Sequence, residues 1–153
     1  MTYAFGSDEY FMQQALRQAI LAGEEGEVPV GAVIVSENRI IAKAYNQTEK
    51  LNDVTAHAEI LALTSAFNYL GAKYLPDCTL YVTLEPCTMC AGALYWSQIG
   101  RLVIGARDER RGYARLASRK EPVLHPRTQI VTGILEEPAA AMVTDFFEKL
   151  RKK

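Results

Sequence analysis

The segment CTLYVTLEPCTMCAGALYWSQIG, residues 78–100, contains the change of pattern that decides the fold. Its first half is rich in β-branched and aromatic residues and predicts a strand, whereas the part after Pro86 predicts a helix. Cys87 and Cys90 are three positions apart in the first turn of that helix and therefore share one of its faces. From this segment alone, the two thiols could form a redox pair, half of a metal site or a pair of core residues.

Segments on both sides repeat the alternation of strand and helix. The further predicted elements are a helix that begins after Ser7, a hairpin around residues 36–38, a helix in residues 53–70, strands in residues 101–106 and 128–135, and a helix in residues 137–153. The first hairpin strand is almost wholly apolar, so we expect it to be buried on both faces. The alternation predicts a three-layer α/β/α sandwich around a five-stranded sheet.

The size and charge of the chain limit the classes of function. With 153 residues, the chain is predicted to form a single domain, residues 1–153. The formal net charge of -1 gives no overall attraction to nucleic acid or membranes, so RNA binding would need a local basic patch. No apolar run is long enough to span a bilayer, and the N-terminus has no pattern of a secretion signal. An odd number of cysteines, three, predicts reduced thiols in the cytoplasm and no disulfide framework.

A single histidine extends the cysteine pair to a metal site. His57 lies at the start of the helix predicted for residues 53–70, and helix starts gather at one edge of an open α/β sheet. One imidazole and two thiolates give three zinc ligands. Neither Cys78, which precedes a strand, nor His125, which lies in a polar loop, is a convincing fourth. Since a structural zinc site is normally closed by four ligands, three ligands predict a catalytic zinc with a position for water.

The same helix start supplies a group that can move protons. Glu59 is two residues from His57, so on an ideal helix the two side chains do not share a face. In the first turn, however, Glu59 can still reach a water at the zinc, whose pKa the metal lowers to roughly 7. A carboxylate in that position serves as a general base and then as a general acid.

These residues together carry a family resemblance. HAE at residues 57–59 and PCTMC at residues 86–90 match the H-x-E…P-C-x-x-C signature of the zinc-dependent nucleoside and nucleobase deaminases. The segments EVPVGAV, TAHAEI, LYVTLEPCTMCAGAL, IGRLVIGARD and DFF extend the similarity. From about Ser7 to Phe147, the chain resembles the bacterial tRNA-specific adenosine deaminases. The resemblance implies a cytidine deaminase-like fold with a central mixed sheet.

The resemblance also implies an activity and a cofactor. One Zn²⁺ per subunit would be held by His57, Cys87 and Cys90, and Glu59 would carry protons between water and base. Hydroxide would attack C6 of adenine and ammonia would leave, so that inosine remains. In this family the target is the wobble adenosine of a tRNA anticodon loop, which is flipped into the pocket.

Further positions correspond to the family's substrate contacts. Asn46 would form a hydrogen bond with the base, while the backbone around Ala58 and the side chain of Val30 would line it. Asp108, in the segment GARD, would lie near the ribose and the backbone of the RNA loop. The resemblance implies a homodimer in which the partner's surface completes the RNA site.

The chain departs from the family pattern after GARD. In place of a turn rich in small residues, it has a basic segment, residues 107–120, with Tyr113 in its middle. The cations of this segment are Arg107, Arg110, Arg111, Arg115, Arg119 and Lys120. Phosphates attract cations and unstacked bases pack on aromatic rings, so the segment predicts contact with an anticodon loop.

Two other functions are compatible with the sequence. The first is a deaminase of a free nucleobase such as cytosine or guanine, because such enzymes share the zinc signature. The second is a non-catalytic RNA-binding module with a structural zinc, although Glu59 has no use in a closed structural site. Cys78 is interpreted as a small core residue and His125 as a loop residue.

Overall fold

The computed structural model describes residues 2–116 and 122–152, in which helices cover both faces of one five-stranded sheet. In chain order the elements are α1 (Asp8–Glu24), β1 (Gly31–Ser36), β2 (Arg39–Tyr45), α2 (Ala58–Leu70), β3 (Cys78–Leu84), α3 (Thr88–Ser97), β4 (Arg101–Ala106), a short 3₁₀ helix (Tyr113–Leu116), β5 (Gln129–Thr132) and α4 (Glu136–Arg151). The predicted three-layer α/β/α sandwich with a central mixed five-stranded sheet is confirmed. No helix in these two ranges is long and apolar enough to cross a membrane.

The strand directions determine which chain segments meet at the functional edge. The strand order is β2-β1-β3-β4-β5, in which β1 is antiparallel to β2 and β3, and β3, β4 and β5 are parallel. One edge of the sheet therefore carries the ends of β2, β3 and β4 and the beginning of β1. The segments that leave this edge are those that begin at Asn46, Glu85 and Arg107, and Val30 enters it.

Two separate apolar layers hold the helices to the sheet. Alternate residues of β1 point to opposite faces, so that Ala32 and Ile34 pack under α2 and α3, and Val33 and Val35 pack against α1. All four are buried, which confirms the prediction that this strand is covered on both faces. Helix α4 lies on the α1 side, where Ala139 packs near Ala106.

The predicted turn of the hairpin is also confirmed. Glu37 and Asn38 both have positive φ angles, 52° and 60°. Two successive residues in this region form the turn whose twist matches a right-twisted pair of strands. The pairing of Ser36 with Arg39 closes a two-residue loop.

Two helix starts differ from the prediction by one to a few residues. Helix α2 begins at Ala58, so that His57 is its N-cap and not a residue of its first turn. Helix α3 begins at Thr88, which makes Cys87 the N-cap and places Pro86 before the helix. The delay in α2 follows from local competition, because the Asp53 carboxylate accepts the backbone N–H of residue 55 at 2.8 Å and stabilises a turn there.

Candidate metal centre

Two helix starts bring the three predicted ligands together. His57 and Cys87 are the N-caps of α2 and α3, and Cys90 lies in the first turn of α3. The His57 Nδ1 atom is 3.7 Å from Cys87 Sγ and 3.5 Å from Cys90 Sγ. The three ligand atoms all lie within 4.8 Å of one another, so the cluster could hold a metal ion.

The spacing of these atoms fits zinc. Tetrahedral bonds of about 2.3 Å to sulfur and about 2.0–2.1 Å to nitrogen place a nitrogen and a sulfur ligand roughly 3.5 Å apart. The two observed N···S distances, 3.7 and 3.5 Å, are close to that value. Within residues 2–116 and 122–152, the cluster contains three ligands. This number leaves a tetrahedral zinc one position for a further ligand, as in catalytic sites.

The other two candidates for a ligand lie elsewhere. Cys78 is buried at the beginning of β3, and therefore at the opposite edge of the sheet from the cluster. The ring of His125 packs near Tyr95, and its Nδ1 accepts the backbone N–H of Arg127. The interpretation of Cys78 as a core residue and of His125 as a loop residue is thus confirmed.

Hydrogen bonds within the cluster shift the pKa values of all three side chains. A hydrogen bond from Cys90 and another from His57 lower the pKa of Cys87 to about 3. The same bond to Cys87, together with burial, raises the pKa of the Cys90 thiol. The hydrogen bond to Cys87 also raises the pKa of His57. Metal binding requires thiolates and a neutral imidazole, so the binding of zinc to these residues releases protons.

The side chain of Glu59 lies close to the three cluster residues. Glu59 is the second residue of the helix, and only 3% of its surface is exposed. Burial raises the pKa of its carboxyl to about 7, while His57 opposes the shift and Cys90 donates a hydrogen bond to it. A carboxyl that titrates near neutral pH can both accept and return a proton.

Asn46 connects the end of β2 to the start of α2. Its Oδ1 accepts the backbone N–H of Ala58 at 2.9 Å, and its Nδ2 donates to the Val28 carbonyl at 3.1 Å. His57, the N-cap, makes no capping bond with its side chain. Asn46 therefore caps α2 from outside the helix, while the imidazole remains directed at the cysteines.

The other two predicted substrate residues have different surroundings. Val30 is 5% exposed and belongs to the core, with its carbonyl accepting the Asn46 backbone N–H. Asp108 is the second residue of the loop after β4, and its Oδ1 accepts the backbone N–H groups of Arg110 and Arg111 at 3.2 and 3.1 Å. Its carboxylate thus stabilises a turn in the basic segment.

The basic segment is only partly as predicted. Four of its cations, Arg107, Arg110, Arg111 and Arg115, are exposed, while Arg119 and Lys120 lie outside the described residues. The expectation that Tyr113 offers a surface for base stacking is wrong. Its ring is 7% exposed and packs in the core beneath the loop, where apolar neighbours exclude water.

Two buried carboxylates that hold the loops after β2 and β4 were not identified from the sequence. Glu27 accepts hydrogen bonds from the Thr48 hydroxyl and from the backbone of Glu49 and Lys50. Glu85 accepts backbone N–H groups from the loop after β4. Glu27 lies in the charged run GEEGE, which has the appearance of a solvated turn. One feature of the sequence could have identified Glu85: it is an acidic residue directly after a strand of mostly buried residues.

Known proteins resemble the chain in sequence and in structure. The family model of the cytidine and deoxycytidylate deaminase zinc-binding region matches residues 6–106. The tRNA-specific adenosine deaminase of Aquifex aeolicus is 48% identical over 145 residues, 94% of this chain and 95% of that protein. The tRNA-specific adenosine deaminase of Agrobacterium fabrum is 44% identical, over 93% and 95% of the two chains.

Solved structures extend the comparison. A tRNA:A34 deaminase that acts at the wobble position has a TM-score of 0.81 and 45% identity, over 87% of this chain and 98% of its own. The guanine deaminase of Nitrosomonas europaea has a TM-score of 0.77 and 25% identity, over 94% and 86%. The tRNA deaminases have higher sequence identity to this chain than the guanine deaminase does, and they align over most of its length. The chain belongs to the tRNA-specific adenosine deaminases of the cytidine and deoxycytidylate deaminase zinc-binding family.

Proposed function

We propose that this protein hydrolyses adenosine to inosine at the wobble position of a tRNA anticodon, with zinc as cofactor. The observation that carries the proposal is the convergence of His57, Cys87 and Cys90 beside the buried Glu59. This cluster occurs in a chain that aligns over nearly its whole length with tRNA-specific adenosine deaminases.

The proposed chemistry divides between the metal and the chain. Zinc, when bound by His57, Cys87 and Cys90, supplies a water whose pKa is lowered to about 7. Glu59 takes a proton from the attacking water and returns it as the amino group departs. The water oxygen bonds to C6 of adenine, and the bond from C6 to the exocyclic amino nitrogen breaks, so the products are inosine and ammonia. Because Glu59 is shielded from solvent, bulk water does not compete for that proton.

Asn46 has the capacity to bind the base while it caps α2. An amide side chain has two N–H donors and an oxygen with two lone pairs. One donor is used by Val28 and one lone pair by Ala58, so one of each is available to an adenine edge. In this arrangement the Ala58 backbone lines the pocket and Val30 supports it from the core. Asp108 lies at its rim near the ribose.

The exposed arginines of the basic segment would bind RNA phosphates. Arg107, Arg110, Arg111 and Arg115 lie together after β4, close in sequence to Asp108. Since the chain has a net charge of -1, this local cluster and not the overall charge would attract the RNA.

We include a homodimer in the proposal. Met89, Gly92, Ala93 and Trp96 recur at i, i+3, i+4 and i+7 on the outer side of α3, and Trp96 is 75% exposed. An apolar helix face with an exposed tryptophan is suited to a protein interface. The proposal treats residues 1–153 as one deaminase domain that acts in the cytoplasm, where its thiols stay reduced and tRNA is available.

Removal of basic charge tests whether the substrate is RNA. We expect the triple variant Arg110→Ala, Arg111→Ala, Arg115→Ala to raise the KM for an anticodon stem-loop and to reduce the salt dependence of that KM. Glu59→Gln, which keeps the zinc ligands, should keep RNA binding and zinc but lose turnover. If the triple variant deaminates the stem-loop as well as the unaltered protein at every salt concentration, the RNA interface is wrong.

A further inference from the structure

Glu85 holds the loop that follows β4. It lies between β3 and Pro86, and only 7% of its surface is exposed. One carboxylate oxygen accepts the backbone N–H of Asp108 at 3.1 Å, and the other accepts that of Ala114 at 2.9 Å. The two ends of residues 108–114 are thereby bound to a single side chain.

The same loop also contacts the corner that carries a zinc ligand. Tyr113 donates its backbone N–H to the Pro86 carbonyl at 2.9 Å. Cys87 and Gly112 form an isolated antiparallel bridge. The position of the loop is therefore tied to Cys87 through the backbone as well as through Glu85.

Gly112 makes the contact with Glu85 possible. A Cβ atom at position 112 would overlap the Glu85 carboxylate and the Asp108 carbonyl. The need for glycine here is one of space, because the loop passes directly over the buried carboxylate. Such a carboxylate is stable only while its oxygens keep their hydrogen bonds, so loop and carboxylate hold each other in place.

The loop in turn shapes the proposed RNA surface. Arg107, Asp108, Glu109 and Arg115 line a cavity of about 270 Å³ together with Glu85 and Ala114. Asp108 is bound at both its backbone N–H, by Glu85, and its carboxylate, by the turn. The backbone that carries the arginines of this loop is therefore held in one arrangement by hydrogen bonds.

We propose that Glu85 is a positioning residue for the substrate: its buried carboxylate fixes residues 108–114 in the arrangement that binds RNA. This inference rests on the proposed function. When only a fraction of molecules has the competent arrangement, the apparent dissociation constant rises by the inverse of that fraction. Release of the loop should thus weaken RNA binding more than it affects the chemical step.

Glu85→Gln is the direct test. Glutamine has the same shape, but its NH₂ group cannot accept an N–H, so one of the two loop bonds is lost. We expect the KM for the anticodon stem-loop to rise about tenfold, as for a loop that is competent in about one molecule in ten. The kcat and the zinc content should stay unchanged. Hydrogen exchange at the Asp108 and Ala114 amides should become faster.

Two further variants separate positioning from general stability. Gly112→Ala disturbs the same contact from the loop side without a change of charge, and it should raise the KM in the same way. Asp8→Asn is the matched control, because the Asp8 carboxylate also accepts hydrogen bonds, in this case from the side chains of Arg101 and Tyr81 on the α1 side of the sheet. It should lower the melting temperature and leave the KM unaltered.

The outcomes are distinguishable from failure of the proposed function. If the unaltered protein leaves the stem-loop unchanged, the proposed function is overturned before any variant is compared. If the unaltered protein is active and Glu85→Gln has the same KM, the role of Glu85 is overturned. A loss of zinc with kcat reduced and KM constant would equally overturn it, because Glu85 would then support the metal site and not the RNA loop.

Discussion

Replacement of Asn46 by alanine removes two hydrogen bonds that join three segments of the site. The lost bonds are the one from the Ala58 N–H to Oδ1, at 2.9 Å, and the one from Nδ2 to the Val28 carbonyl, at 3.1 Å. The first is equivalent to a helix cap, which contributes about 1 kcal/mol. The second contributes about 1 kcal/mol more. We therefore expect Asn46→Ala to lose about 2 kcal/mol of unfolding free energy.

Thermal unfolding of the zinc-loaded protein measures this loss. For a chain of this length, about 1 kcal/mol corresponds to a shift of about 2–4 °C, so the melting temperature should fall by about 4–8 °C. Asn46→Asp is the matched control. Its carboxylate still accepts the Ala58 N–H and suits the helix N-terminus, whereas the bond to Val28 is lost. It should recover less than half of the lost stability, because its second oxygen faces the Val28 carbonyl oxygen and the two repel each other.

Activity and stability should separate between these two variants. Both lack the amide donor offered to the base, so both should deaminate the stem-loop poorly. The reasoning is refuted if Asn46→Ala melts at the same temperature as the unaltered protein. That result would mean that Asn46 does not cap α2.

Three further predictions concern the metal, the pH dependence and the packing. Cys90→Ser should lose zinc on dialysis against a chelator, measured as metal content, whereas Cys78→Ser, at the opposite sheet edge, should retain it. Because a hydrogen bond from Arg101 holds the pKa of Asp8 below its usual value, the unaltered protein should be more stable than Asp8→Asn above about pH 4. This difference in unfolding free energy should vanish as the pH falls through the lowered pKa. Urea unfolding across the pH range measures it, and a constant difference would contradict the prediction. Gly31→Ala would drive a Cβ into the backbone of α1 and should cost about 1–3 kcal/mol in urea unfolding, so an unchanged midpoint would contradict the close approach.

The sequence was sufficient for the elements in which local pattern and burial agree. The strand at residues 101–106 was predicted with its observed bounds, because a continuous β-forming run lies between Gly100 and polar residues. The convergence of His57 with the cysteines followed from the rule that helix starts meet at one sheet edge. The structure agrees, since α2 and α3 both begin there.

The remaining features depend on contacts between distant residues. Nothing local to Tyr113 indicates that its ring packs under the loop, and its charged neighbours suggest the opposite. Glu85 and Glu27 are buried because backbone N–H groups from other segments surround their carboxylates. The late start of α2 results from the competing turn at Asp53. Each of these features requires a partner that the local pattern does not identify.

The central claim is tested most directly by the choice of substrate. Zinc-loaded protein is given an anticodon stem-loop with a wobble adenosine, and in parallel free cytosine, guanine and adenine, and the inosine and ammonia formed are measured. We predict inosine at the wobble position and no ammonia from the free bases. Ammonia from a free base, with the stem-loop unchanged, would contradict the account and make the protein a nucleobase deaminase at the same zinc site.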